Sequence, residues 1–389
     1  MVNKMWLFRS WIAVLVYSAL CFYSGVRIFA LVRYFLPGTK AFVFWPVFIL
    51  FFYSFILTNL LRLNEIPFLR QFGLYSIAVI LYLLLCLALF DAVRLVFWFC
   101  KRAVLIPRFS AAGIGAAICL ALIITMCGAV HARLIHTKHY SVNIAKNGTD
   151  IRIVLLSDLH IGHTIGRAWV AKIVDRINQA GPDMVCFSGD VFDGNLNQIH
   201  DMESIIAELR RISAPLGVYA CLGNHDVDRI RLFEDSGGTE KIAVFLKEAG
   251  IVLLQDELTP VTAGLTVAGR LDARPIGMRQ SRKPIAELAA SGSREDTLIL
   301  LDHQPTAFPE AARAGVDLLF CGHTHGGQIF PANFITRSIF RKAGGTHYGY
   351  WQDGRGLQAV VTSGAGIWGP PLRVATSSEI AVIDVHFVP

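Results

Sequence analysis

The sequence predicts an α/β domain preceded by a helical membrane domain. Three observations lead to this reading. Uncharged apolar runs long enough to cross a bilayer are confined to the first third of the 389-residue chain. Beyond residue 148, short apolar and β-branched runs alternate with amphipathic stretches, the pattern of strands alternating with helices. Charge divides at the same place: residues 1–147 carry a net +12 and residues 148–389 a net −5.

The chain is 54% hydrophobic and 17% charged, with a mean hydropathy of +0.50, too apolar for an ordinary soluble protein. The segments 41–61, 72–90 and 110–130 hold 21, 19 and 21 residues without a charge. At about 1.5 Å per residue each can cross a hydrocarbon core of roughly 30 Å. A segment over about 11–36 is interrupted by Arg27 and Arg33, whose charges could snorkel to an interface. About four transmembrane helices are therefore expected. A cleaved signal peptide is disfavoured, because no A-x-A-like site closes the first segment and further spans follow. The predicted domains are a multi-pass membrane domain (1–130), a linker (131–148) and an α/β domain (149–389).

The basic excess lies beside apolar segments, so it argues for a lipid bilayer as partner and against nucleic acid. The expected location is a multi-pass cell membrane, inner or plasma. Seven basic residues flank the spans on each side, so charge does not orient the domain. The α/β part has three cysteines, Cys186, Cys221 and Cys321, each in an apolar run. Buried thiols rather than a disulfide framework favour the cytoplasmic face. Among acids, the membrane part has only Glu65 and Asp91; Asp91 and Arg94 are expected to form a local ion pair.

Five runs read as buried strands: "IRIVLLSD", "DMVCFSGD", "GVYACLGNHD", "TLILLDH" and "VDLLFCGHTH". Helices are expected over 166–180 and 201–212, where apolar residues recur at helical spacing. Each strand ends in groups able to bind metal: Asp158 and His160, Asp190, Asn224 and His225, His303, then His323 and His325. Ligands of such folds gather beyond the carboxyl ends of strands. Side chains two apart in extended backbone share a face, so each D-x-H or H-x-H pair is expected to point into one site. Mixed imidazole and carboxylate donors suit Mn, Fe or Zn better than Ca or Mg.

At these residues the chain resembles the calcineurin-like metallophosphoesterases, in particular a bacterial membrane-associated branch. The family blocks read here as Asp158-Leu159-His160, Gly189-Asp190, Gly223-Asn224-His225-Asp226, His303 and Gly322-His323-Thr324-His325, in order. The resemblance extends over about 140–389 and implies a four-layer α/β/β/α sandwich. It implies a first metal held by Asp158, His160 and His325, a bridging Asp190, and a second metal held by Asn224, His303 and His323. His225 would serve the leaving oxygen, and Asp193 would hydrogen-bond it. The implied activity is phosphoester hydrolysis by a metal-bridging hydroxide; a site tethered close to the bilayer favours a phosphodiester or pyrophosphate bond in a lipid-linked substrate. Two alternatives stay open: a general phosphomonoesterase merely tethered to the membrane, and a non-catalytic metal-binding regulatory or receptor domain. Arg270 and Arg373 could bind phosphate, although surface ion pairs are the default for arginine. Aromatic residues of 331–353, among them Phe334, Phe340, Tyr348 and Trp351, could form a lid or simply pack.

Overall fold

The computed structural model describes residues 4–61, 63, 66–100, 106–194, 196, 199, 201–227, 238–273 and 282–388. Glu65, and the flanking Arg62, Lys101 and Arg102, lie outside the described residues. The chain divides into two compact units, residues 1–130 with 369–372, and residues 131–368 with 373–389.

The first unit is helical. Among the described residues, three helices are long and apolar enough to span a membrane, over Trp11–Phe35, Pro67–Phe99 and Ser110–His131. The expected span at 41–61 is instead two helices, Ala41–Phe52 and Ser54–Leu60, bent by 65° at Tyr53; counted as one broken span, they bring the number to four. The second half-helix lies so close to the next span that a Cβ on Gly73 would meet the Phe55 backbone at 2.8 Å. The Ser54 and Ser76 hydroxyls meet across this contact at 3.1 Å.

Arg27 does not need to snorkel. Its Nη2 lies 2.6 Å from Asp91 Oδ2, an oxygen that also accepts from the Tyr23 hydroxyl. Arg94, the partner expected from sequence, is at 3.3 Å from the other oxygen. Asp91 thus joins two helices as well as pairing locally.

Among its described residues, the second unit contains two six-stranded sheets. The first is built from β1 (Ile135–Ile144), β2 (Ile151–Leu156), β3 (Met184–Ser188), β4 (Val218–Cys221), β5 (Val252–Leu253) and β12 (Ser378–Phe387), in the order β1-β12-β2-β3-β4-β5. The second comprises β6 (Glu257–Thr262), β7 (Leu265–Gly269), β8 (Thr297–Leu301), β9 (Leu318–Cys321), β10 (Gly349–Gln352) and β11 (Gln358–Val361), in the order β10-β11-β9-β8-β7-β6. The neighbours β2-β3-β4-β5 run parallel, as do β7-β8-β9-β11.

Alternation along single strands makes the layers. In β2, Val154 and Leu156 face a core shared with the helices Arg167–Ala180, Met202–Leu209 and Gly238–Glu248, while Ile153 and Leu155 face the second sheet. In β8, Ile299 and Leu301 face the first sheet, while Leu298 and Leu300 pack towards helices Ile285–Ala290 and Phe308–Ala314. The result is the helix/sheet/sheet/helix sandwich. All five strands expected at the motifs are present.

The segment 131–148 is not a linker. It contains β1, paired in parallel with β12 from Ile135↔Ser378 to Ile144↔Phe387. As an edge strand it is half exposed, with polar residues along "IHTKHYSVNI", and so lacks the apolar signature of the inner strands.

Candidate metal centre

The carboxyl ends of β2, β3, β4, β8 and β9 bring the expected residues to one rim. Their side chains do not converge through extended backbone, as the spacing suggested. Each strand stops before its motif, and Asp158, His160, Asp190, His323 and His325 all adopt left-handed backbone, with φ between 50° and 71°. Non-glycine residues avoid this region, and such strain gathers at functional sites.

Backbone amides fix the two central carboxylates. Asp158 Oδ2 accepts from the amide of His323 at 2.9 Å and from the Ser157 hydroxyl at 2.6 Å. Its Oδ1 is turned to His325 Nε2 at 3.3 Å and His160 Nε2 at 3.9 Å. Asp190 Oδ1 accepts from the amide of His225 at 2.8 Å, and Oδ2 is turned to His303 Nε2 at 3.1 Å and His160 Nε2 at 3.9 Å. One oxygen of each therefore secures the loop and the other is presented to imidazoles.

This donor set fits divalent cations. The His303 Nδ1 donates to the Ser188 carbonyl at 2.8 Å, because a carbonyl can only accept, which leaves Nε2, 3.1 Å from Asp190, as the atom that would ligate a cation. Asp158 Oδ1, Asn224 Oδ1 and His303 Nε2 are buried without hydrogen-bond partners. The Nε2 atoms of His160 and His325 stand 3.1 Å apart. Burial pushes the His160 pKa down and that of His325 well down, the latter helped by His160 and Arg373, so both rings favour the neutral, ligating form. Burial would also lower the His303 pKa, but the facing Asp190 outweighs it and holds it well above the usual value. A cation between these groups would supply the positive charge that the carboxylates otherwise draw from a proton.

Asp158, His160 and His325 form one group with donor atoms within 4.8 Å of one another; Asp190, His303 and His323 form another. A third comprises His160, Asp193 and His225. Asp193 Oδ1 lies 3.8 Å from the Nδ1 of both His225 and His160, too far for the hydrogen bond expected between Asp193 and His225.

Residues 151–327 match the family model for calcineurin-like phosphoesterases. The domain belongs to this family. Among relatives of the phosphoesterase domain, an uncharacterized metallophosphoesterase of Campylobacter jejuni is 29% identical over 248 residues, covering 64% of this chain and 62% of that protein. A transmembrane protein with a metallophosphoesterase domain from Danio rerio is 32% identical over 243 residues, covering 60% of this chain and 52% of the relative. The chain thus spans between half and two thirds of these relatives. Among solved structures, a dimetal phosphatase from Danio rerio aligns at 11% identity and a TM-score of 0.36, over 61% of this chain and 93% of that one.

Several phosphoesterase-domain residues have roles that the sequence did not reveal. Asp226 is buried and accepts from the amides of Phe192 and Gly223, both at 2.8 Å, tying the β3 and β4 loops together. Burial, reinforced by Asp190, pushes its pKa up to about 7. Arg373 is neither a surface ion pair nor open to phosphate. It is fully buried and donates to the carbonyls of His325, Gly364 and Gly366 at 3.0, 3.2 and 2.8 Å, and burial pushes its pKa down to about 10. Arg270, also buried, pairs with Asp302 at 3.3 Å and Glu310 at 2.9 Å. Of the 331–353 aromatics, Phe340 is buried, Trp351 packs on Phe308, Tyr348 donates to Glu379, and Phe334 is exposed. The indole of Trp368, unremarked in sequence, lies over His225 at 5.6 Å.

Proposed function

We propose that this protein is a membrane-anchored, metal-dependent phosphoesterase that hydrolyses a phosphodiester or pyrophosphate bond in a lipid-linked substrate. The observation that carries this reading is the pairing of Asp158 and Asp190. Each is fixed by an amide through one oxygen and turns the other towards imidazoles at a shared rim. Asp158, His160 and His325 would hold one divalent ion, Asn224, His303 and His323 a second, and Asp190 both; Mn, Fe or Zn suits these donors. Such ions supply charge to phosphoryl oxygens and acidify a coordinated water.

The remaining work falls to the chain's own side chains. His225 is at the open edge of the site, partly exposed, and can pass a proton from a ring nitrogen to the leaving oxygen. Asp193, 3.8 Å away, would orient that ring once the gap closes on substrate. Of the ligand set, Asp158, His160, Asp190, His303 and His325 are buried, and Asn224 and His323 are partly exposed. The membrane helices carried on the same chain support a lipid-linked substrate. A multi-pass location in the cell membrane, with this domain on the cytoplasmic face, completes the proposal.

The test is hydrolysis of bis-p-nitrophenyl phosphate and of a membrane lipid extract by the full-length protein with Mn. Asp190→Asn should abolish both activities, and His225→Ala should slow both while metal content is retained. Full activity in Asp190→Asn would reject the mechanism. Cleavage of soluble esters with no lipid consumed would leave a general tethered phosphatase.

A further inference from the structure

The helix Ala332–Lys342 has two unlike faces. Phe340 points inward and is buried, and Asn333 packs against Gly327. On the opposite side Phe334, Ile335 and Ile339 are 59%, 63% and 56% exposed, and Phe330, exposed just before the helix, stacks edge-on against Phe334. At about 100° per residue these side chains span one apolar side of the helix, with Ser338 and Lys342 between Phe334 and Ile335. Arg337 and Arg341, both exposed, line one flank, and exposed Lys342 closes the end. No Asp or Glu occurs between Asp317 and Asp353, so nothing acidic in this stretch offsets the cations.

We propose that this helix is an interfacial element that seats on a bilayer surface bearing anionic headgroups. Its chemistry matches that occupant: large apolar side chains to enter the headgroup boundary, and cations beside them to meet phosphates. Its connection matches too, since only residues 132–134 separate β1 from a membrane-length helix ending at His131. The helix begins seven residues after His325, and Gln328, between them, clasps Trp368 at the mouth of the site through Nε2 to the Trp368 carbonyl at 2.6 Å. Seating the helix would therefore bring headgroup phosphates to the metal centre. The lipid contact stands by itself; the delivery of substrate rests on the hydrolytic reading above.

The experiment places the photoreactive residue benzoylphenylalanine at Ile335, and separately at Val244, which is 55% exposed on a different helix. Each full-length protein is illuminated in nanodiscs of phosphatidylcholine, with and without phosphatidylglycerol, and adducts are read by mass spectrometry. Lipid adducts at 335 should exceed those at 244 about tenfold and should increase with phosphatidylglycerol. Equal yields at the two positions, equal yields in the two lipids, or adducts to a second copy of the chain in place of lipid would overturn the proposal. Hydrolysis of bis-p-nitrophenyl phosphate by the unmodified protein is measured alongside. Lipid adducts without any hydrolysis would sink the proposed activity and leave the docking surface standing.

Discussion

Gly322 lies directly against Ser157: a methyl group at 322 would overlap the Ser157 hydroxyl and the Asp158 carboxylate behind it. The glycine lets the β9 loop press its amides onto the carboxylate that faces His325. Gly322→Ala should therefore cost about 1–3 kcal/mol through overpacking. It should also weaken metal uptake about tenfold by displacing Asp158. Gly166→Ala, where an added Cβ meets nothing within 4 Å, should stay within about 0.5 kcal/mol of the parent. Denaturant titration and metal analysis of both variants check this; equal behaviour would refute the role given to Gly322.

Metal removal should loosen the rim. Buried Asp158, Asp190, His160, His303 and His325 then face one another without a cation. A ligand present at about a hundredfold its dissociation constant stabilises the folded state by about 2.7 kcal/mol. The thermal midpoint of the full-length protein should fall on chelation and recover with Mn. Asp190→Asn should show a much smaller metal-dependent shift. A midpoint indifferent to chelator in the parent protein would argue against a bound ion.

Glu310 provides a pH signature away from the metal centre. Its carboxylate accepts from both terminal nitrogens of Arg270, at 3.1 and 2.9 Å, and from the amide of Ile285 at 2.8 Å. Burial alone would raise its pKa, but that amide and Arg270 outweigh it and hold the carboxyl below its ordinary 4.5. A depressed folded pKa stabilises above the unfolded value, and the contribution disappears as pH falls through the folded one. Glu310→Gln should thus cost about 1 kcal/mol at neutral pH, screening by solvent included, and nothing once pH drops below the folded pKa. A stability gap that persists unchanged into acid would contradict this assignment.

The membrane bundle makes its own prediction. Asp91 pairs with Arg27 on another helix at 2.6 Å, so either charge left alone has lost its main partner. Asp91→Asn and Arg27→Gln should each destabilise the protein in detergent. The double variant should lose less than the sum of the two, by about 0.5–3 kcal/mol. Strict additivity in unfolding measurements would show that the pair carries no coupling.

The strands, and the candidate ligands gathered at their ends, were legible because chemistry and burial coincide. The inner strands are short apolar runs with no polar face, each ending where a carboxylate, amide or imidazole begins. What escaped has physical reasons. The half-exposed β6, "ELTPVT", carries a proline and little apolar pattern, and β1 is polar along its open edge. Nothing in 41–61 marks Tyr53 as a break, since the proline of that segment, Pro46, lies inside a continuous helix. Left-handed backbone at Asp158 or His325 leaves no trace in residue type, so the spacing argument brought these residues together through a geometry the chain does not use. Arg373 looked like an ordinary surface cation because its partners are carbonyls, which every residue carries.

The pairing of β1 with β12 sets the order of events at the ribosome. Ile135 emerges soon after a membrane-length helix, yet its neighbour Ser378 is made 243 residues later. β2 likewise waits for β12 on its outer side. The helical bundle can therefore be inserted while its attached sandwich is still an open sheet. Closing that sheet needs contacts between distant parts of the chain, the kind that form slowly. Both β1 and β2 therefore keep an unpaired edge until β12 has been made.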